Sequence, residues 1–150
     1  MLKVTRTTSD NNNFRDLINL LDNELNIRYG VTQKINDVYN KIDSINTAVI
    51  VYFENNPIGC GCFKPYDNYT VEIKRMFVRS ENRNSGIANS ILQELERWAR
   101  ENNFSKSILE TGIKQPEAIK FYKKMGYSKI DNYGPYIDNP TSICMSKKLN

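Results

Sequence analysis

Residues 70–88 read TVEIKRMFVRSENRNSGIA. Thr70 to Val78 is rich in β-branched and aromatic residues, the composition of a strand. A polar loop follows, and from Gly86 the apolar period turns helical. Ile87, Ile91, Leu95 and Trp98 form one stripe, flanked by Ala88, Leu92 and Ala99. The first N–H groups of a helix have no partner within it, and the helix dipole makes that end positive. A strand, a polar loop and a helix that opens on a glycine therefore suit an anion. Gly86 lets the main chain approach a ligand closely, and Ala88 keeps the next turn thin. Arg83 adds a permanent cation matched to phosphate oxygens. The stretch predicts a pyrophosphate cradle. It lacks the Gly-Lys-Ser/Thr of a Walker loop and the glycine spacing of the dinucleotide fingerprint. The plainer reading is a capped loop-to-helix turn with an arginine nearby.

Upstream, the pattern predicts a strand over Leu2 to Thr7. A helix follows, capped by Asn13 or a neighbour, with Phe14, Leu17, Ile18, Leu21 and Leu25 on one face and Gly30 at its end. A weaker helix is expected over Lys34 to Lys41. Thr47 to Phe53 and Ile58 to Phe63 read as a hairpin about a turn at Glu54-Asn55-Asn56-Pro57, and Thr70 to Val78 adds a third antiparallel strand. Downstream, Ser107 to Thr111 is a short strand, and a helix starts near Pro116 with Ala118, Ile119, Tyr122 and Met125 at helical spacing. Gly126 is placed to end that helix, and Ser142 to Leu149 closes the chain as a strand, with one more at Tyr127 to Ile130. The order predicts an α/β fold on a mixed sheet. With 150 residues and no linker or repeat, residues 1–150 read as a single domain.

Composition narrows the chemistry. There is no histidine in the chain, which removes Ser-His-Asp triads, Cys-His dyads and the HExxH zinc helix. Acid and base work falls to carboxylates, tyrosine, cysteine, lysine or the main chain acting through water. The formal net charge of +4 is spread along the chain, which suits a small anion and argues against nucleic acid. Cys60, Cys62 and Cys144 make a poor zinc set, so no metal is expected and the thiols read as buried and free in a reducing compartment. No apolar run approaches the length of about 20 residues that spans a bilayer, and the N-terminus has no signal-peptide segment, so no membrane contact and a cytoplasmic location are expected.

Arg83-Asn84-Ser85-Gly86-Ile87-Ala88 after such a strand resembles the acetyl-CoA signature of the GNAT superfamily of N-acetyltransferases, in its small bacterial form. A second block, Ala118-Ile119-Lys120-Phe121-Tyr122-Lys123-Lys124-Met125-Gly126-Tyr127, is similar to the family's A-x-x-F-Y-x-x-x-G-F/Y helix. The resemblance covers about Thr47 to the C-terminus. It implies a mixed, mostly antiparallel sheet of about 6–7 strands flanked by about 4 helices. It also implies acetyl-CoA as acetyl donor, direct transfer to an amine in a ternary complex, and a homodimer, for which the C-terminal strand offers an edge.

By the same resemblance, main-chain groups of Met76, Phe77 and Val78 pair with the donor's pantetheine arm, and an N–H near Phe77 polarises the acetyl carbonyl. Asn84, Ser85, Gly86, Ile87 and Ala88 offer N–H groups to the pyrophosphate beside Arg83. Gln115 stands where the family often has an asparagine that reaches the pantetheine or a water. Tyr122 matches the tyrosine that protonates the leaving thiolate. Glu72 matches a catalytic glutamate of histone-type members; its plainer reading is an ion-pair partner of Lys74 or a nearby arginine. Strand alternation puts Glu72 on one face with Lys74 and Met76 unless a bulge intervenes. Tyr29, Tyr39, Tyr133 and Tyr136 offer an aromatic slot for an alkylammonium, or simply pack. A non-catalytic acyl-CoA-binding module on the same fold is the alternative function.

Overall fold

The computed structural model describes residues 1–30 and 44–150. The chain runs β1 (Leu2–Thr7), α1 (Asn12–Tyr29), β2 (Ala48–Phe53), β3 (Asn56–Pro65), β4 (Thr70–Val78), α2 (Ile87–Glu101), β5 (Lys106–Gly112), α3 (Pro116–Lys124), β6 (Ser128–Ile130) and β7 (Ser142–Lys148). The strands form one seven-stranded sheet in the order β1-β2-β3-β4-β5-β7-β6. This is the mixed α/β sheet that the sequence predicts. Among the described residues there are three α-helices rather than about four. The weak helix expected over residues 34–41 lies outside the described residues.

Local chemistry accounts for the elements. Asn11 caps α1, its side-chain oxygen accepting from the N–H groups of Asn13 at 2.8 Å and Phe14 at 3.1 Å. Gly30 ends that helix. The β2–β3 turn is tighter than the sequence suggests. Glu54 and Asn55 both have positive φ, as a type I′ hairpin requires, and Asn56 and Pro57 already belong to β3.

Apolar faces lie on both sides of the sheet. On one, Phe14, Leu17, Ile18 and Leu21 of α1 pack on Ile50, Cys60, Cys62 and Phe77. On the other, Ile87, Ile91, Leu92 and Leu95 of α2 pack on Val49, Phe63, Ile73 and Val78, and Tyr122 of α3 joins them. Two corrections follow. The C-terminal strand is no edge, because β7 lies between β5 and β6; the sheet ends in β1 and β6. And β4 carries a bulge. Cys60 faces Phe77 while Cys62 faces Lys74, so Gly61 alone on β3 stands against Arg75 and Met76 on β4, with Arg75 at φ 60°. The extra residue reverses the alternation. Met76 therefore packs on the α2 side, away from Lys74 and Glu72.

Among the described residues only β4 and β5 run parallel, joined by the α2 crossover. Their pairing runs from Thr70/Lys106 to Ile73/Leu109 and stops there. Beyond it β4 stays with β3, β5 stays with β7, and the two strands part. Ligand sites in open α/β sheets form outside the carboxyl ends of strands where the connection changes direction.

Candidate active site

The parting of β4 and β5 opens a cavity of about 130 Å³. Ile73, Lys74, Arg75 and Met76 line one wall; Glu110, Thr111 and Gly112 line the other. Leu21, Leu25 and Tyr29 of α1 close one side, Ala118 and Tyr122 of α3 another, and Tyr136 and Thr141 come from the loop before β7.

The cradle stands beyond the end of β4. Gly86 has φ 82°, a conformation that favours glycine, and α2 starts directly after it. The first bond within the helix runs from the Ser90 N–H to the Gly86 carbonyl at 3.1 Å, so the N–H groups of Ile87, Ala88 and Asn89 precede it. Asn84 also has positive φ, and the Ser85 hydroxyl donates to the Asn82 carbonyl at 2.5 Å, which tightens the loop. Arg83 is engaged. Its two terminal nitrogens donate to both carboxylate oxygens of Glu24 at 2.8 and 2.9 Å, and its Nε donates to the Val78 carbonyl at 2.8 Å. The guanidinium also lies over the Phe77 ring, 5.5 Å from its centre. A fork facing a carboxylate would face a phosphate equally well.

Phe77 and Val78 turn their side chains into the two apolar clusters. Across from them, the Arg79 N–H bonds the Ile58 carbonyl of β3. Val78, one residue earlier, therefore turns its main-chain groups away from β3, and its carbonyl accepts from the Arg83 Nε.

Tyr122 is buried, packed edge-on against Phe121 and Tyr127, and lines the cavity. Burial, with the nearby Glu110 carboxylate, raises its pKa, so the hydroxyl keeps its proton at neutral pH. Gln115 lines the cavity too, donating to the Tyr29 hydroxyl at 3.3 Å.

Glu72 is 5% exposed. Its Oε2 accepts from the Tyr133 hydroxyl at 2.6 Å, and its Oε1 lies 3.9 Å from both Lys64 Nζ and Lys74 Nζ. The lysine partnership read from the sequence is thus present, and the same carboxylate lines the cavity. Burial lowers the Lys74 pKa, with Glu72 opposing. Tyr29 and Tyr136 line the cavity, Tyr133 stacks edge-on behind Tyr136, and Tyr39 lies outside the described residues.

Glu110 went unassigned in the sequence. It lies one residue past the last parallel pair, mostly buried, with Oε2 accepting from the Ser142 hydroxyl at 2.7 Å. Burial pushes its carboxyl up to about 7. The available signal was an acidic residue at the carboxyl end of a strand next to the central one, in Leu109-Glu110-Thr111-Gly112.

The cysteines offer no nucleophile. Cys60 and Cys62 are fully buried, and burial drives the first thiol well up and the second to about 12. Cys144 is raised to about 11. Among the described residues no group of three or more Cys, Asp or Glu could hold a metal ion, and no helix is long and apolar enough to cross a membrane.

Residues 14–127 match the acetyltransferase (GNAT) family. The chain belongs to that family. A relative, the IAA acetyltransferase of Azospirillum brasilense, is 36% identical over 93 residues, 61% of this chain and 61% of the relative. An uncharacterized N-acetyltransferase of Bacillus subtilis, YsnE, is 31% identical over 93 residues, 61% of this chain and 62% of its own. The matches thus span about three-fifths of the length of these relatives. Among solved structures, a Klebsiella pneumoniae protein described as an acyl-CoA N-acyltransferase superposes with a TM-score of 0.84 at 25% identity, covering 100% of this chain and 99% of that one. A GNAT acetyltransferase of Elizabethkingia anophelis, solved with acetyl-CoA bound, has a TM-score of 0.72 at 20% identity, over 99% of this chain and 98% of its own. That likeness is one of fold.

Proposed function

We propose that this GNAT chain is an acetyl-CoA-dependent N-acetyltransferase that moves an acetyl group to a primary amine of a small molecule or peptide, by direct transfer in a ternary complex. The observation that carries the reading is the parting of β4 from β5, which frees an edge of β4 beside a cavity lined by the buried phenol of Tyr122, with the open helix end at Ile87 and Ala88 following β4 in the chain.

The N–H groups around Asn84, Ser85, Gly86, Ile87 and Ala88 take the donor's pyrophosphate, with Arg83 alongside once it turns from Glu24. The pantetheine arm lies against the main chain of Met76, Phe77 and Val78 as an extra half-strand, and Gln115 with Tyr29 bounds its path. A main-chain N–H at the bulge side of Phe77 faces the carbonyl oxygen as its charge grows. Tyr122, protonated at neutral pH, gives its proton to the departing thiolate. A cavity carboxylate, Glu72 or Glu110, removes a proton from the amine.

A thiol acyl-enzyme is disfavoured by the raised thiols and the absence of an imidazole. The reading takes the enzyme as cytoplasmic, in keeping with three free buried thiols. It also takes the enzyme as a homodimer, in which β1 or β6, as the free edges, would be available for pairing.

Calorimetric titration with acetyl-CoA tests the proposal. Binding in the micromolar range is expected, and heat flow indistinguishable from dilution at high micromolar concentration would sink it. Acetyl transfer to a panel of alkylamines separates the enzyme from a binding module.

A further inference from the structure

We propose that Glu110, rather than Glu72, is the base that takes the proton from an acceptor arriving as an alkylammonium. The inference rests on the N-acetyltransferase reading and deepens it.

Position comes first. Glu110 is the first residue of β5 beyond its last pairing with β4, so its side chain enters the cleft where the strands part. It shares that cavity with Tyr122, the proposed acid. Ser142 holds Oε2 at 2.7 Å and so fixes the carboxylate at the cavity wall. Glu72 is placed differently. Tyr133 occupies its Oε2 at 2.6 Å, and two ammonium groups flank its Oε1 at 3.9 Å. Both carboxylate oxygens of Glu72 are thus already engaged by neighbouring side chains.

The surroundings of Glu110 are mixed. Glu72, Lys74 and Arg75 face the cavity from β4, Arg75 already bound by Asp22 at 2.6 Å. Ser142 and Cys144 lie opposite on β7, Tyr122 on α3, Tyr29 on α1 and Tyr136 on the preceding loop. Burial dominates and carries the carboxyl to about 7, Glu72 adding to the rise, Ser142 and Lys74 opposing it. A base works best with its pKa near the working pH.

The step balances. The ammonium loses one proton to Glu110. The nitrogen lone pair then forms the C–N bond at the acetyl carbonyl, and collapse breaks the C–S bond. Tyr122 gives its hydroxyl proton to the departing thiolate and recovers the second nitrogen proton. Glu110 releases its proton to solvent. The acceptor class is an alkylamine, cationic at neutral pH, because an arylamine arrives neutral and needs no such base. Two carboxylates with Tyr29 and Tyr136 suit that cation.

The test measures acetyl transfer from acetyl-CoA to ethanolamine, tyramine and lysine methyl ester over about pH 5.5 to 9. The wild type is expected to show kcat/KM rising through a limb near pH 7. E110Q should lose that limb and fall by about 100-fold or more, with acetyl-CoA affinity within about twofold of wild type, and E110D should recover part of the rate. E72Q lowers the rate by freeing Tyr133 but keeps the limb. A carbon-13 titration of the glutamate carboxyls, without acceptor, should show one group titrating near 7 that E110Q lacks. A limb that survives in E110Q, or vanishes in E72Q alone, overturns the assignment, as does a titration without such a group. If acetyl-CoA binds but no amine is acetylated, the base assignment falls and donor binding stands. If acetyl-CoA does not bind, the parent reading falls first.

Discussion

The Tyr29 hydroxyl fills the space where Gly112 has no side chain: a Cβ on Gly112 would stand 1.6 Å from that oxygen. The end of α1 is thereby seated on the end of β5, and the two close one side of the cavity. Arg28 reinforces the seat by pairing with Glu117 of α3. Gly112→Ala is expected to destabilise the fold by about 1–3 kcal/mol through overpacking, read by chemical denaturation. Tyr29→Ala should relieve part of that cost, so the double variant departs from additivity by about 1 kcal/mol or more. Additive effects would mean that the two residues do not meet.

Tyr122→Phe keeps the ring contacts with Phe121 and Tyr127 and removes only the hydroxyl. Acetyl transfer should fall by about 100-fold or more in kcat, while acetyl-CoA affinity stays within about twofold. Equal loss in both quantities would assign Tyr122 to binding instead.

Arg83 cannot face Glu24 and a phosphate with the same nitrogens. The pair is about one-third exposed on each side, so it contributes no more than about 1 kcal/mol. Glu24→Gln should tighten acetyl-CoA binding by a factor of about 1.5 to 5. Arg83→Ala should weaken it, and more so at low salt. Tighter binding in the arginine variant would remove Arg83 from the site.

Glu110 makes stability depend on pH. Its carboxyl titrates near 7 when folded against an ordinary 4.5. Below 4.5 both states carry the proton, and the folded protein loses nothing. As pH rises toward 7 the unfolded chain ionises first, so stability falls, by up to about 3 kcal/mol. Melting curves across that window should show the fall in wild type and its absence in E110Q. Parallel curves for the two proteins would contradict it.

Much of this arrangement could be read from residue order. The helical stripes, the strand pattern and the Arg83-to-Ala88 loop are local, and local patterns report themselves. What escaped the sequence depended on pairing across the sheet. The bulge at Arg75 turned Met76 to the far face, because a strand's alternation holds only while its partner keeps register. Arg83 looked available from its spacing, but Glu24 lies 59 positions away in the chain. Glu110 is unremarkable in a short strand until the parting of β4 and β5 exposes it to the cleft. The Ser142 to Leu149 strand was legible; its interior place in the sheet was not, since β6 is only three residues long.

The parting of β4 and β5 has a consequence for how such a protein tolerates mutation. A recess made by two strands leaving each other offers main-chain groups as its recognition surface, and every residue type carries those groups. Side chains along β4 can therefore drift with the demands of the two apolar clusters while the recess keeps its hydrogen-bonding pattern. Variation that matters to specificity is confined to the few side chains that reach into the opening, chiefly Glu72, Lys74, Glu110, Tyr122 and Tyr136. A library that randomises Glu72, Lys74 and Tyr136, with Glu110 and Tyr122 left in place, would explore acceptor choice without disturbing the frame that receives the donor.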